Sequence, residues 1–160
     1  MNRTLSLGLI GIGAALLGGC ITTTGSGDPE PHFASLYSTY LSNCSQCHAP
    51  GALGATSTTE KSLDFSTVTT AYATLGGSAS SLVGNQQACN GVPFIAKGNP
   101  GASLLLAVLD GPTRSGFDAG GHPGCDSNAI SDMALKSGKT PSAAFIAALK
   151  TWIQNGAPND

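Results

Sequence analysis

Residues 32–48 read HFASLYSTYLSNCSQCH, and the last five of them, Cys44-Ser45-Gln46-Cys47-His48, decide how the rest of the chain is read. C-x-x-C-H is the attachment pattern for c-type haem. Its spacing has a chemical reason: two thiols three residues apart on one turn of helix can each add across a vinyl group of one porphyrin. The next residue then turns its imidazole toward the iron. The residues ahead of the motif place Phe33, Leu36, Tyr37, Tyr40 and Leu41 at helical spacing, which predicts an amphipathic helix running into it. Two other chemistries use a C-x-x-C pair. A dithiol redox site wants a strand-helix-strand context, and no β-branched strand precedes Cys44. A structural zinc site would combine Cys44 and Cys47 with Cys89 and Cys125, but there is no second C-x-x-C pair. The pattern therefore predicts one covalent haem c on Cys44 and Cys47, with His48 as the proximal iron ligand.

Upstream, residues 1–20 read MNRTLSLGLIGIGAALLGGC. Arg3 supplies a positive n-region, and the uncharged apolar run that follows is shorter than the ~20 residues of a membrane span. Leu17-Gly18-Gly19-Cys20 resembles the bacterial lipobox. That resemblance implies a lipoprotein signal peptide over residues 1–19, cleavage before Cys20, and lipid on the Cys20 thiol and the new amino terminus. Several acyl chains hold a protein firmly to a bilayer. An ordinary signal peptide followed by a chance cysteine is the alternative. By similarity to enteric sorting rules, Ile21 after the cysteine favours the outer membrane, with the domain in the periplasm or at the cell surface. Residues 20–31 have the Thr, Ser, Gly and Pro content of a tether, so the folded domain is expected over residues 32–160.

Composition bounds the remainder. The mature chain of roughly 140 residues suits one domain with one core. Charged residues make up 10% of the sequence and the formal net charge is -2, which excludes a basic footprint for nucleic acid. Losing Arg3 with the leader makes the mature domain slightly more acidic. The five cysteines are an odd number, so in an exported protein at least one does something other than pair within the chain.

An electron-transfer haem usually has a second axial ligand from the protein, Met or His in cytochromes c. Once the leader is removed, Met133 is the one methionine left. It stands in a loop-like stretch ahead of a clear helix and is the expected distal ligand. His122, in a Gly-rich loop, is the alternative, and His32 reads as a surface residue before the first helix. A His/Met pair raises the reduction potential relative to two imidazoles.

From Phe33 to Asn159 the ordered set of features resembles the single-domain cytochromes c of planctomycete and myxobacterial lipoproteins. The resemblance rests on CSQCH at 44–48, LDFSTVTTAYATL at 63–75, Cys89, KGNPGASLL at 97–105, Cys125, Met133 and TWIQNGA at 151–157. In that family the ligand Met is commonly followed by Pro, whereas Ala134 follows here. The resemblance implies an all-α, cytochrome c-like fold around one haem, with long loops and with the N- and C-terminal helices packed together. It also implies a disulfide between Cys89 and Cys125. Cysteine arithmetic agrees, because one lipidated and two haem-bound thiols leave two in an oxidising compartment; two unpaired buried cysteines are the alternative. Helices are expected over 61–75, over 102–110, and over 142–155, where Phe145, Ile146, Leu149, Trp152 and Ile153 form one stripe. Thr140 or Ser142 can cap that last helix and Gly156 can stop it.

The function expected from these residues is one-electron transfer between a protein donor and a protein acceptor, by a protein that is not itself an enzyme. A haem enzyme or ligand sensor would instead need an open sixth position. A di-haem peroxidase would need another C-x-x-C-H, which the sequence lacks. A haem-free structural lipoprotein is the remaining class.

Overall fold

The computed structural model describes residues 27–52 and 63–160. The leader, Cys20, the first part of the tether and the opening residues of the helix expected at 61–75 lie outside the described residues. Among the described residues the protein is all-α: six helices and three 3-10 turns, with no strand and one isolated bridge between Ser78 and Pro93. None of these helices is long and apolar enough to cross a membrane.

The last helix follows its sequence pattern. Helix α6 (Ala143–Gln154) buries Phe145, Ala148, Leu149, Trp152 and Ile153. Ser142, rather than Thr140, is its cap, with its hydroxyl accepting the Phe145 amide at 3.0 Å. Gly156 takes a φ of 90° just beyond the end, the left-handed conformation that closes helices and suits glycine.

Helix α1 (Phe33–Thr39) is shorter than its apolar spacing suggests. Asn43 donates its side-chain amide to the Tyr40 carbonyl at 2.8 Å, and Ser45 donates to Ser42 at 2.7 Å. Side chains that bond nearby carbonyls compete with the helical ladder. The backbone leaves the helix at Tyr40 and continues as a 3-10 turn over Leu41–Gln46. Helix α1 packs against α6 and against α2 (Val68–Leu75). At the junction Phe33 lies 5.3 Å from the ring of Trp152 and 5.2 Å from that of Tyr72, an edge-on arrangement in the second case. Such pairs add to the area they bury. The C-terminal residues close this corner: Trp152 donates its indole N–H to Pro158 and Tyr72 its hydroxyl to Ala157, each at 2.9 Å. The Asp160 carboxylate accepts the Phe33 amide at 3.0 Å, serving as a cap that α1 lacks locally.

Helix α2 begins at Val68, later than its apolar pattern. The Asp64 carboxylate takes the Ser66 amide, and Thr67 forms a reciprocal capping box with Thr70. The segment expected as one helix over 102–110 is divided. A 3-10 turn at Pro100–Ala102 precedes α3 (Leu104–Leu109). Between them Ser103 is fully buried, accepting the Ala96 amide at 2.9 Å and donating to the Asn99 carbonyl at 3.0 Å. Helix α3 buries Leu104, Leu105, Leu106, Ala107 and Leu109, as a helix apolar all round should. Short helices α4 (Gly111–Ser115) and α5 (Met133–Ser137) flank a long irregular stretch.

Candidate functional site

The turn carrying the motif is built by two backbone bonds to a single carbonyl. Cys44 accepts the Cys47 amide at 3.1 Å and the His48 amide at 2.8 Å. The second is a bond of α-helical span, so Cys44, Cys47 and His48 share one turn. The chain beyond is tied back by the Phe65 amide, which donates to the His48 carbonyl at 2.7 Å, and the Phe65 ring stands 6.1 Å from the His48 imidazole. Tyr37 of α1 donates its hydroxyl to the Phe65 carbonyl at 2.9 Å. The first helix thereby positions both the motif and one wall of the space in front of it.

That space is a cavity of about 440 Å³, within the size range of small-molecule and cofactor sites. Cys44, Cys47 and His48 form one part of its lining, and Met133 forms another. Apolar lining comes from Leu63, Phe65, Ala79, Leu82, Phe94, Leu104, Leu105, Val108 and Ile130. Polar groups also line it: Asn43, Gln46, Gln86, Ser131, Lys136 and Lys139. Lys139 donates to Asn43 and Lys136 to Ser131, the latter at 3.0 Å. A predominantly apolar space bordered by two thiols, an imidazole and a thioether offers the donor chemistry that a covalently held haem requires.

The thiols themselves bear on the rival chemistries. Cys44 and Cys47 are not disulfide-bonded. Burial first, and the neighbouring Cys47 second, push the Cys44 thiol up to about 11. A reactive dithiol needs a lowered thiol pKa, and Cys44 is moved the other way. Cys89 and Cys125 form a disulfide, with their Cα atoms 4.7 Å apart and both side chains buried. They are therefore unavailable to a four-thiolate zinc site. Among the described residues no group of three or more His, Cys, Asp or Glu is placed to hold a metal, whereas haem iron needs just two axial donors.

Met133 is the first residue of α5 rather than part of a loop, and Asp132 caps that helix by accepting the Leu135 amide at 2.8 Å. The Leu135 amide, followed by the Arg114 guanidinium, holds the Asp132 carboxyl below its usual range against an opposing push from burial. His122 is not among the residues lining the cavity. Its ring sits on the backbone of Gly91, whose added Cβ would come within 2.8 Å of His122 Cε1. His32 lies outside the cavity and bonds Asp160 at 2.8 Å. The apolar walls from Leu82 to Ile130 carry no local sequence signal, since they converge from separate segments. Asp132 did carry one, as an N-cap residue ahead of a helix ending at Gly138 with φ 67°.

Compared with protein-family models, curated proteins and solved structures, the chain matches none.

Proposed function

We propose that the protein is a c-type monohaem cytochrome that passes single electrons between protein partners, its fold being cytochrome c-like. One observation carries the reading: Cys44, Cys47, His48 and Met133, singled out by sequence motif and by elimination, all line the same apolar cavity. Cys44 and Cys47 would hold the haem covalently, and His48 and Met133 would supply the nitrogen and sulfur donors to its iron. When bound, the haem supplies a ferric/ferrous couple. The chain's own residues do the rest. Phe65, Leu104, Leu105 and Ile130 exclude water, and low solvent access together with thioether ligation raises the potential. Cys47 is exposed, which leaves this edge of the site open to solvent and to a partner.

Cytochrome c maturation acts on exported chains, and the lipobox-like leader is consistent with that route. We propose anchoring in the outer membrane through lipid on Cys20, with the domain in the periplasm or at the cell surface. Palmitate labelling of the wild type, lost in Cys20→Ala, checks the anchor. Carbon monoxide separates the electron carrier from an enzyme or sensor. A carrier with Met133 bound reacts slowly in the ferrous state, whereas rapid, stoichiometric binding by the wild type indicates an open sixth position and overturns the Met133 assignment.

A further inference from the structure

Met133 opens a helix of five residues whose one buried side chain is Ala134, while Leu135 is 79% exposed. So short a helix has no stability of its own, and its place is decided by what grips its ends. The grip is at Asp132. One carboxylate oxygen caps the helix through the Leu135 amide at 2.8 Å, and the other accepts Arg114 Nη2 at 2.6 Å. The second Arg114 nitrogen reaches the Ala107 carbonyl of α3 at 3.5 Å. Helix α3 supplies Leu104 and Leu105 to the cavity wall, so one guanidinium joins that wall to the turn bearing Met133.

We propose that Arg114 and Asp132 are positioning residues for the distal iron ligand, the pair holding the Met133 thioether in the cavity against its release to solvent. The proposal rests on the cytochrome reading above. The geometry divides the labour between the two oxygens: one fixes the helix start, and the other fixes the helix to α3. Asp132→Asn keeps an acceptor for the cap but loses the ion pair, Asp132→Ala loses both, and Arg114→Lys keeps the charge.

The test measures three things on the haem-loaded protein: the ferric charge-transfer band of His/Met ligation, the rate of carbon monoxide binding to the ferrous form, and haem content by pyridine haemochrome. Loss of a cap and a half-buried ion pair together is expected to raise the Met-off population about tenfold. Asp132→Ala should therefore bind carbon monoxide about tenfold faster and show a measurably weaker band, at unchanged haem content. Asp132→Asn and Arg114→Gln should fall between, and Arg114→Lys should recover most of the wild-type signal. Asp160→Ala removes the cap of α1, and neither Asp160 nor Phe33 lines the cavity, so it should lower stability and leave the band intact. The proposal is overturned if the Asp132 and Arg114 variants keep wild-type band and kinetics, or if Asp160→Ala loses the band equally. A wild type without covalent haem overturns the cytochrome reading itself, and a haem-bearing wild type without the band removes Met133 as ligand.

Discussion

Replacing Cys89 and Cys125 together with alanine removes a bridge that joins positions 36 residues apart. The enclosed stretch contains α3, α4 and the cavity-lining Phe94, Leu104, Leu105, Val108 and Leu109. By the loop-entropy model, opening a loop of that length costs about 4 kcal/mol at 25 °C. Both cysteines are buried, at 2% and 4% exposure, and losing their sulfurs leaves small voids that add to the cost. Domains of this size are stable by about 5–15 kcal/mol, so the bridge carries a large share of the total. With a urea m-value of about 2 kcal/mol/M, the unfolding midpoint should fall by about 2 M. The assay is equilibrium urea unfolding of haem-loaded protein under non-reducing conditions, followed by far-UV circular dichroism. A midpoint drop below about 0.5 M refutes the reasoning, because the bridge would then close a loop already held by other contacts.

Other outcomes follow from single groups. Asp110 caps α4 and accepts Lys150 at 2.9 Å; burial pushes its carboxyl up, but hydrogen bonds from Thr113 and Lys150 outweigh it and the net pKa is lowered. A carboxyl lowered by folding stabilises the protein above its unfolded value near about 3.9, and that contribution is lost as pH falls through the folded value. Asp110→Asn should therefore cost up to about 1 kcal/mol at neutral pH, with the difference from wild type vanishing in acid denaturation curves. An undiminished difference below both pKa values contradicts the assignment. Gly91 has φ 88° and supports the His122 ring. Gly91→Ala should cost about 1–2 kcal/mol for the left-handed backbone, plus a contact term that His122→Ala relieves. Equal destabilisation in both backgrounds, read by urea unfolding, removes the contact.

The parts legible in the sequence are those set by local periodicity and local chemistry. The α6 stripe and its stop at Gly156 were readable because burial there follows a simple helical repeat, whereas the choice between Thr140 and Ser142 as cap was settled by the Ser142 bond to the Phe145 amide. The shared turn of Cys44, Cys47 and His48 was readable because the three fall within five consecutive residues, the span of one helical turn. The α1 end at Tyr40 was not, since Asn43 and Ser45 divert carbonyls that apolar spacing ignores. The division at Ser103 has a related cause: its hydroxyl is satisfied by Ala96 and Asn99, contacts that exist only once the chain has turned back. The cavity itself is tertiary. Leu82, Phe94, Leu105 and Ile130 become neighbours of the motif through folding alone, and the Arg114–Asp132 pair spans 18 positions. The placement of Met133 at a helix start was within reach of sequence reasoning, through Asp132 ahead of it and Gly138 behind it.

The central claim is that Cys44 and Cys47 hold a haem, and its most direct measurement is the haem content of protein produced in a host competent for cytochrome c maturation. After acidic acetone extraction, which strips haem that is not covalently held, the pyridine haemochrome should report one haem per chain. Cys44→Ser with Cys47→Ser should reduce it to background. Protein that folds with its cavity intact yet carries no extraction-resistant haem contradicts the account.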